Sequence, residues 1–519
     1  MPVAEDRVTP LVEELVPAPD PLRCCERLEG FPYRVFLDSA ANETRLGRYS
    51  FLTADPCAVI RSHGTKTECL DLVRGTREPV PGDPLAAVRA LLAPHAADPV
   101  PDLPPFQGGV AGYVAYDWGL TLERLPAPRY DDLALPDLVL GVYDWVLAWD
   151  HVTSRAWLIS TGMPETSQPA RTTRAQERAR AVRARVEQPN PEPRIPSLDV
   201  ARDALSDGRR ASPESRIPSP ESRVLARSVQ APSFAVENGW WDSHLPIRSS
   251  FTRAGYLAAV ERVREYIFAG DIFQANLSQR FEAPLGESPW SLYSRLHATN
   301  AAPFASFLDF PEATVISASP ERFLRVGRDG RVETRPIKGT RPRGVGPEHD
   351  AALGQALAES AKDRAENLMI VDLMRNDLSR VCAPRSVRVS ELFSLEHYAT
   401  VHHLVSTVVG ELESGLDALH LLRAAFPGGS ISGAPKLRAM EVIAELEPSR
   451  RGVYCGAIGY WSVTGELDTS VAIRTAVVRD GRIYFSAGGG IVADSDPEQE
   501  YRETLDKARA MIDALATGP

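Results

Sequence analysis

Up to residue 160 the apolar and aromatic positions come in short runs separated by turn-forming residues, and the runs at 34–37, 57–60 and 141–147 predict strands. Residues 84–92 predict a short helix. Gly108, Gly109 and Gly112 lie between Phe106 and Tyr113, a pattern that calls for a bend or a close backbone approach. Residues 176–186 have a helical composition rich in alanine and arginine. A Pro/Ser/Arg-rich stretch follows, in which SPESR occurs at 212–216 and again at 219–223. It reads as a flexible linker or surface insertion without chemistry of its own.

Beyond residue 250 the patterning is denser. A helix is expected over 252–269, closed by Gly270, and strands over 304–309, 313–318 and 331–336. One helix is expected over 350–380, and another with Pro435 at its first position. Strands are expected at 453–462, 468–479 and 482–487, followed by a glycine-rich turn at 488–490. The last helix carries its own start signal: Asp496 as N-cap, Pro497 next and Gln499 three after the cap. Strands and helices do not alternate strictly, so an α+β architecture fits better than a parallel-sheet fold. The chain divides on this basis into 1–160, a 161–250 linker or insertion, and a catalytic region at 251–519.

Composition narrows the function. A chain of 519 residues exceeds one ordinary core. Its net charge of -11 gives no electrostatic reason to expect a nucleic-acid partner. The six cysteines show neither CxxC pairs nor a zinc-like spacing, which fits a reducing compartment. The N-terminal residues lack the basic start and apolar core of a signal peptide, and no apolar run approaches the roughly 20 residues of a membrane helix. A soluble, cytoplasmic protein is expected. Lysine is scarce: of 58 basic residues only Lys66, Lys338, Lys362, Lys436 and Lys507 are lysine. Each raises the question of what arginine could not do there.

Three constellations could carry chemistry. Asp363 and Glu366, and again Glu500 and Glu503, are spaced three apart on expected helices, so each pair shares a face. Such carboxylates could offer oxygen ligands to a hard cation such as Mg²⁺, although from spacing alone an ordinary solvated helix face is the better reading. Lys338 stands in PIKGTRPR (336–343), and a partly buried lysine can act as a nucleophile where arginine cannot. An anion-binding lysine is an equal alternative from position alone. PGGSISGAPK (427–436) fails the phosphate-loop pattern, because Ala434 and Pro435 follow Gly433, but its amides could bind an anion at a helix start. No cysteine lies in a Gly-x-Cys-x-Gly elbow, so ammonia from glutamine would have to come from another chain.

Together these segments resemble the chorismate-utilising enzyme family, which includes the first components of anthranilate and aminodeoxychorismate synthases and the isochorismate and salicylate synthases. The matching stretches are AGDIFQ (269–274), SPERF (319–323), PIKGT (336–340), DRAEN (363–367), VHHL (401–404), 427–436, GVYCG (452–456), IRT (473–475) and 488–507. LDS (37–39), GRYSF (47–51) and the glycines near 110 match more loosely. The resemblance implies antiparallel sheets with helices packed outside and the active site between them. It implies that Glu366 and Glu503 hold Mg²⁺ with Asp363 and Glu500 beside them, and that Tyr454, Arg474, the amides at Gly488 and Gly489, and Lys507 bind the substrate carboxylates. His403 and Thr340 would lie near the ring, and Asp38 and Ser39 resemble a tryptophan-binding element.

Two positions sort the branches. Glutamine at Gln274, where the water-adding enzymes carry a lysine base, is similar to the ammonia-using branch. Lys338, where anthranilate synthases usually carry alanine, is similar to the aminodeoxychorismate pattern. The resemblance therefore implies amination of chorismate, with Lys338 as covalent nucleophile, Glu321 as general acid and a glutamine amidotransferase partner. An anthranilate synthase is the nearest alternative, and a catalytically dead regulatory homologue a more distant one. Arg385 departs from the family's usual glycine, as a turn variation away from the chemistry.

Overall fold

The computed structural model describes residues 9–39, 46–187, 230–236, 245–398 and 401–518; both SPESR segments lie outside these. Two large antiparallel sheets face each other. The first runs Leu11–Glu14, Arg155–Ser160, Trp145–Asp150, Tyr49–Thr53, Arg34–Asp38, Phe304–Asp309, Thr314–Ser319, Thr475–Arg479, Arg482–Ile491 and Gln274–Pro284, with short edge strands beyond. The second runs Ile337–Pro342, Val401–Glu411, Arg331–Thr334, Arg322–Val326, Leu467–Val471, Ala457–Ser462, Gly109–Val114, Leu138–Tyr143, Ala58–His63, Lys66–Asp71 and Thr76–Val80. Each sheet mixes strands from before residue 160 with strands from beyond 250.

One hydrophobic cluster lies between the sheets, joining Val35, Phe51, Leu308 and Val477 of the first to Val59, Tyr113, Val139 and Ile458 of the second. Two further clusters seat the helices outside. Arg253–Phe268, Pro289–Thr299, Lys436–Leu446 and Pro497–Ala516 cover the first sheet. Pro84–Leu92, Ala361–Ser379 and Ala418–Ala425 cover the second. The α+β expectation, with outer helices on antiparallel sheets, holds.

Local signals explain the helix ends. Thr252 accepts from the Gly255 amide at the start of Arg253–Phe268. At its end Gly270, at φ +83, donates to Ile267 O while Asp271 donates to Tyr266 O, the paired bonds of a Schellman turn. Asp496 caps the last helix by accepting from Gln499 N at 2.9 Å. Gly112 is required by proximity, because a Cβ there would lie 2.0 Å from Val139 O.

Several expectations change. The 350–380 stretch is two helices, Pro347–Glu359 and Ala361–Ser379. Ser360 breaks them with extended ψ and caps the second by accepting from Asp363 N. Pro435 is the N-cap rather than the first helical residue, so the helix starts at Lys436. Residues 453–456 form a loop before the Ala457–Ser462 strand, with Cys455 in the left-handed region at φ +64. Gly488–Gly490 are not a turn: they continue the Arg482–Ile491 strand, with Gly489 opposite Leu277. Arg385 adopts φ +69, which explains why glycine suits that turn.

The runs 141–147 and 468–479 each split into two strands that belong to different sheets. The chain crosses from one sheet to the other at Asp144 and again at 472–474, and a third crossing at Pro320 and Glu321 joins Thr314–Ser319 to Arg322–Val326.

Candidate active site

Two of these crossings lie side by side. Val471 N donates to Glu321 O at 3.0 Å and Ala318 N donates to Arg474 O at 3.1 Å. Glu321 and Arg474 are thereby placed in the seam between the sheets by backbone bonding rather than by their own charges. Glu321 is 4% exposed, and burial pushes its carboxyl up to about 7, with Ser430, Lys338 and the Ile337 backbone pulling the other way. Arg474 is at φ +50 and makes no ion pair among the described residues, and burial pulls its pKa below the usual arginine value. A desolvated guanidinium without a counter-ion is a ready partner for a carboxylate.

Lys338 is on the irregular edge strand Ile337–Pro342, where the pairing to Val401–Glu411 slips between Ile337 and Thr340. Burial lowers its pKa, while Glu366, Glu321 and Glu503 oppose that. It is a partly buried amine facing the acid Glu321. Thr340 Oγ1 is 2.9 Å from His403 Nδ1, which leaves the buried Nε2 of His403 without a partner. Burial holds His403 at about 3, so the ring is neutral.

Gln274 opens the Gln274–Pro284 strand, fully buried, with both amide atoms unpartnered among the described residues. It fits only because Gly490 has no side chain; a Cβ there would lie 1.8 Å from Gln274 Nε2. An orphaned buried amide is costly unless a ligand or water answers it. Tyr454, 9% exposed, projects from the loop at 453–456.

Two carboxylates of the last helix lie against the glycine strand, and Glu366 of the Ala361–Ser379 helix is within reach of the charge of Glu503. A Cβ on Gly489 would lie 3.0 Å from Glu500 Oε2 and 3.3 Å from Glu503 Oε1. Ser495 Oγ donates to the other oxygen of Glu500 at 2.7 Å. Burial raises the pKa of Glu366 and of Glu500. Glu503 is lowered: burial pushes it up, but Lys507, Lys362 and Lys338 outweigh that. Lys507 Nζ lies 2.6 Å from Glu503 Oε1 and 2.9 Å from Gly488 O. Asp363 is taken by Arg341, at 2.9 Å. Among the described residues no three His, Cys, Asp or Glu side chains close into a ready metal cage.

Asp38 and Ser39 lie elsewhere, on a cavity of about 290 Å³ lined also by Arg48, Phe51, Arg325 and Tyr460. The Asp38 carboxylate is bonded by Ser50, Tyr293 and His297, and Ser39 Oγ donates to Tyr49 O at 2.6 Å.

Sequence reasoning passed over Ser430, which bonds Glu321, and Lys362, whose charge acts on Glu366, Glu500 and Glu503. The scarcity of lysine was the available signal for Lys362. Lys338, Lys362 and Lys507 act on one carboxylate group, while Lys436 is buried against Asp377 and Ala425 O, its charge spent on the protein rather than on an outside anion.

Residues 33–513 match the family described as chorismate binding enzyme, and the chain belongs to that family. It is 40% identical to the aminodeoxychorismate synthase component 1 of Klebsiella aerogenes, covering 94% of this chain and 95% of the relative. It is also 40% identical to the anthranilate synthase component 1 of Cereibacter sphaeroides, over 92% of this chain and 87% of the relative. Among solved structures, the anthranilate synthase component I from Streptococcus pneumoniae TIGR4 superposes with a TM-score of 0.68 at 31% identity, covering 91% of this chain and 93% of that one.

Proposed function

We propose that this enzyme aminates chorismate to 4-amino-4-deoxychorismate through a covalent intermediate on Lys338, using ammonia released by a glutaminase partner chain. The observation that carries the reading is the pairing of a desolvated amine with a buried acid: Lys338 has its pKa lowered by burial, and Glu321 beside it is pushed up to about 7.

The two substrate carboxylates, one on the ring and one on the enolpyruvyl side chain, are held by Arg474, Lys507 and the Tyr454 loop. Lys338, as free amine, attacks ring carbon C2; both conjugated ring double bonds shift by one position and the C4–O bond breaks. Glu321 gives its proton to the departing hydroxyl, which leaves as water, and the bound nitrogen loses a proton. Ammonia then attacks C4, both double bonds shift back, the C2–N bond to Lys338 breaks, and the proton given up by the incoming nitrogen is taken up by the departing Lys338 amine. Splitting one displacement into two is what the covalent step contributes. Neutral His403 flanks the ring without adding charge, and Gln274 offers its unpartnered amide to the incoming nitrogen.

The carboxylate set suits Mg²⁺, which takes one or two protein carboxylates and fills its other positions with water and substrate oxygens. Glu366 and Glu503 would hold it, with Glu500 adjacent, and bound Mg²⁺ would neutralise a substrate carboxylate. The raised pKa of Glu366 and Glu500 reflects carboxylates for which a cation would be favourable. The cavity beside Asp38 and Ser39 is read as a tryptophan site, with Arg48 or Arg325 facing the amino-acid carboxylate; calorimetric titration with tryptophan checks it.

The test is product analysis after incubation with chorismate, Mg²⁺ and ammonium. Aminodeoxychorismate without pyruvate supports the reading. Anthranilate with pyruvate replaces it by the anthranilate synthase reading, which the equally similar relatives of that name support.

A further inference from the structure

A buried ion pair outside the reacting groups connects the segments that carry them. Glu447 follows the Lys436–Leu446 helix, and Arg451 comes four residues later, directly before the Tyr454 loop. Their side chains are 5% and 3% exposed. Arg451 Nε donates to Glu447 Oε2 at 2.9 Å and Nη2 to Oε1 at 2.7 Å, a two-pronged pairing. The remaining donors go to backbone carbonyls: Nη1 to Ile431 O at 3.0 Å and Nη2 to Asn276 O at 2.6 Å. Glu447 Oε1 in turn accepts from Ser278 N and Ser278 Oγ, both at 2.8 Å. The guanidinium also lies over the Tyr116 ring at 4.6 Å and near the Tyr454 ring at 6.0 Å.

Each carbonyl leads to the site. Ile431 follows Ser430, whose hydroxyl favours the charged form of Glu321. Asn276 is two residues from Gln274, and its Nδ2 donates to Ser430 O at 2.8 Å. A buried ion pair is a poor means of gaining stability, since desolvating two charges consumes most of their attraction. What this pair achieves is geometric: a planar fork with five fixed donors spans three segments at once, which a lysine ammonium on a flexible stem cannot do.

We propose that Arg451, oriented by Glu447, is a positioning residue that sets the spacing between Glu321, the strand of Gln274 and the loop of Tyr454. The inference rests on the amination reading above. Arg451 touches no reacting atom; it acts through the Ile431 and Asn276 carbonyls. If the Ile431 turn shifts, the Ser430 hydroxyl withdraws from Glu321. That hydroxyl favours the charged form of Glu321, so the acid then titrates at a higher pH. Burial, Lys338 and the Ile337 backbone, the other influences on Glu321, are untouched.

The experiment compares wild type, Arg451→Lys and the double variant Glu447→Gln/Arg451→Met in steady-state amination with ammonium across pH, beside thermal melting. The double variant leaves no lone buried charge, so it reports even where Arg451→Lys fails to fold. The expected result is a kcat at least tenfold lower in the variants, with the alkaline limb of the kcat profile displaced to higher pH. A lower melting temperature with kcat and alkaline limb unchanged would make the pair purely structural and overturn the inference alone. Wild-type protein that does not aminate chorismate would overturn the amination reading and this inference with it.

Discussion

The Val471 amide donates to the carbonyl oxygen of Glu321 at 3.0 Å, across two strand crossings that run side by side between the sheets. This bond fixes the acid where water is excluded, and burial then raises its carboxyl from 4.5 to about 7. Still about half protonated at neutral pH, Glu321 can serve as a general acid, and it loses that capacity as pH rises further.

Amination should therefore decline as pH rises above about 7. Glu321→Gln should lower kcat by about 10²–10⁴-fold, the usual contribution of a positioned proton donor. The same group has a linkage signature. Its folded-state pKa is raised, so its stability contribution is fully present below about 4.5 and lost as pH climbs through about 7. At one unit per 1.36 kcal/mol this amounts to at most about 3 kcal/mol. Melting curves of wild type and Glu321→Gln should diverge over that window, with the variant gaining relative stability toward pH 8. Parallel curves would contradict a buried ionisable acid.

Lys338 must lose a proton to attack, and burial favours that loss. Wild-type protein incubated with chorismate and Mg²⁺ but no ammonium should gain, by intact mass, a substrate-derived adduct on Lys338. Lys338→Ala and Lys338→Arg should show none, because arginine keeps its proton. An adduct-free wild type that still aminates would eliminate the covalent route.

Gly489→Ala places a Cβ 3.0 Å from Glu500 Oε2 and 3.3 Å from Glu503 Oε1, so both carboxylates must yield by a few tenths of an ångström. The Mg²⁺ concentration for half-maximal activity should rise about tenfold, the scale of a disturbed metal surrounding. Titration of EDTA-treated protein with MgCl₂ measures it, and an unchanged midpoint would remove Glu500 and Glu503 from the metal.

Arg385 holds a left-handed conformation at φ +69 in a turn distant from these groups. A side chain there costs roughly 1–2 kcal/mol relative to glycine. Arg385→Gly should raise the unfolding free energy by about 1 kcal/mol in urea titration, with kcat unaltered.

Much was legible in the chain itself. Helix ends were written locally, at Gly270 and Asp496, because a cap needs only three or four neighbouring residues. The scarcity of lysine marked Lys66, Lys338, Lys362, Lys436 and Lys507 alike before any contact was known. The family motifs brought Glu366, Glu500 and Glu503 into one expected group, and the fold places them around Gly489 and Lys338.

What the sequence determined by itself was therefore the kind of element at most positions and the residue types available for chemistry. Only the tertiary structure decided where the strands change sheets. The runs 141–147 and 468–479 look continuous because the crossings at Asp144 and 472–474 occur inside the core, where apolar neighbours are needed whichever sheet a residue belongs to. For the same reason Gly488–Gly490 read as a turn: glycine is demanded there by Leu277 O and Gln274 Nε2, which approach from some two hundred residues earlier in the chain. Contacts of that separation leave no local trace, and they are what bring Glu321 and Arg474 into one seam.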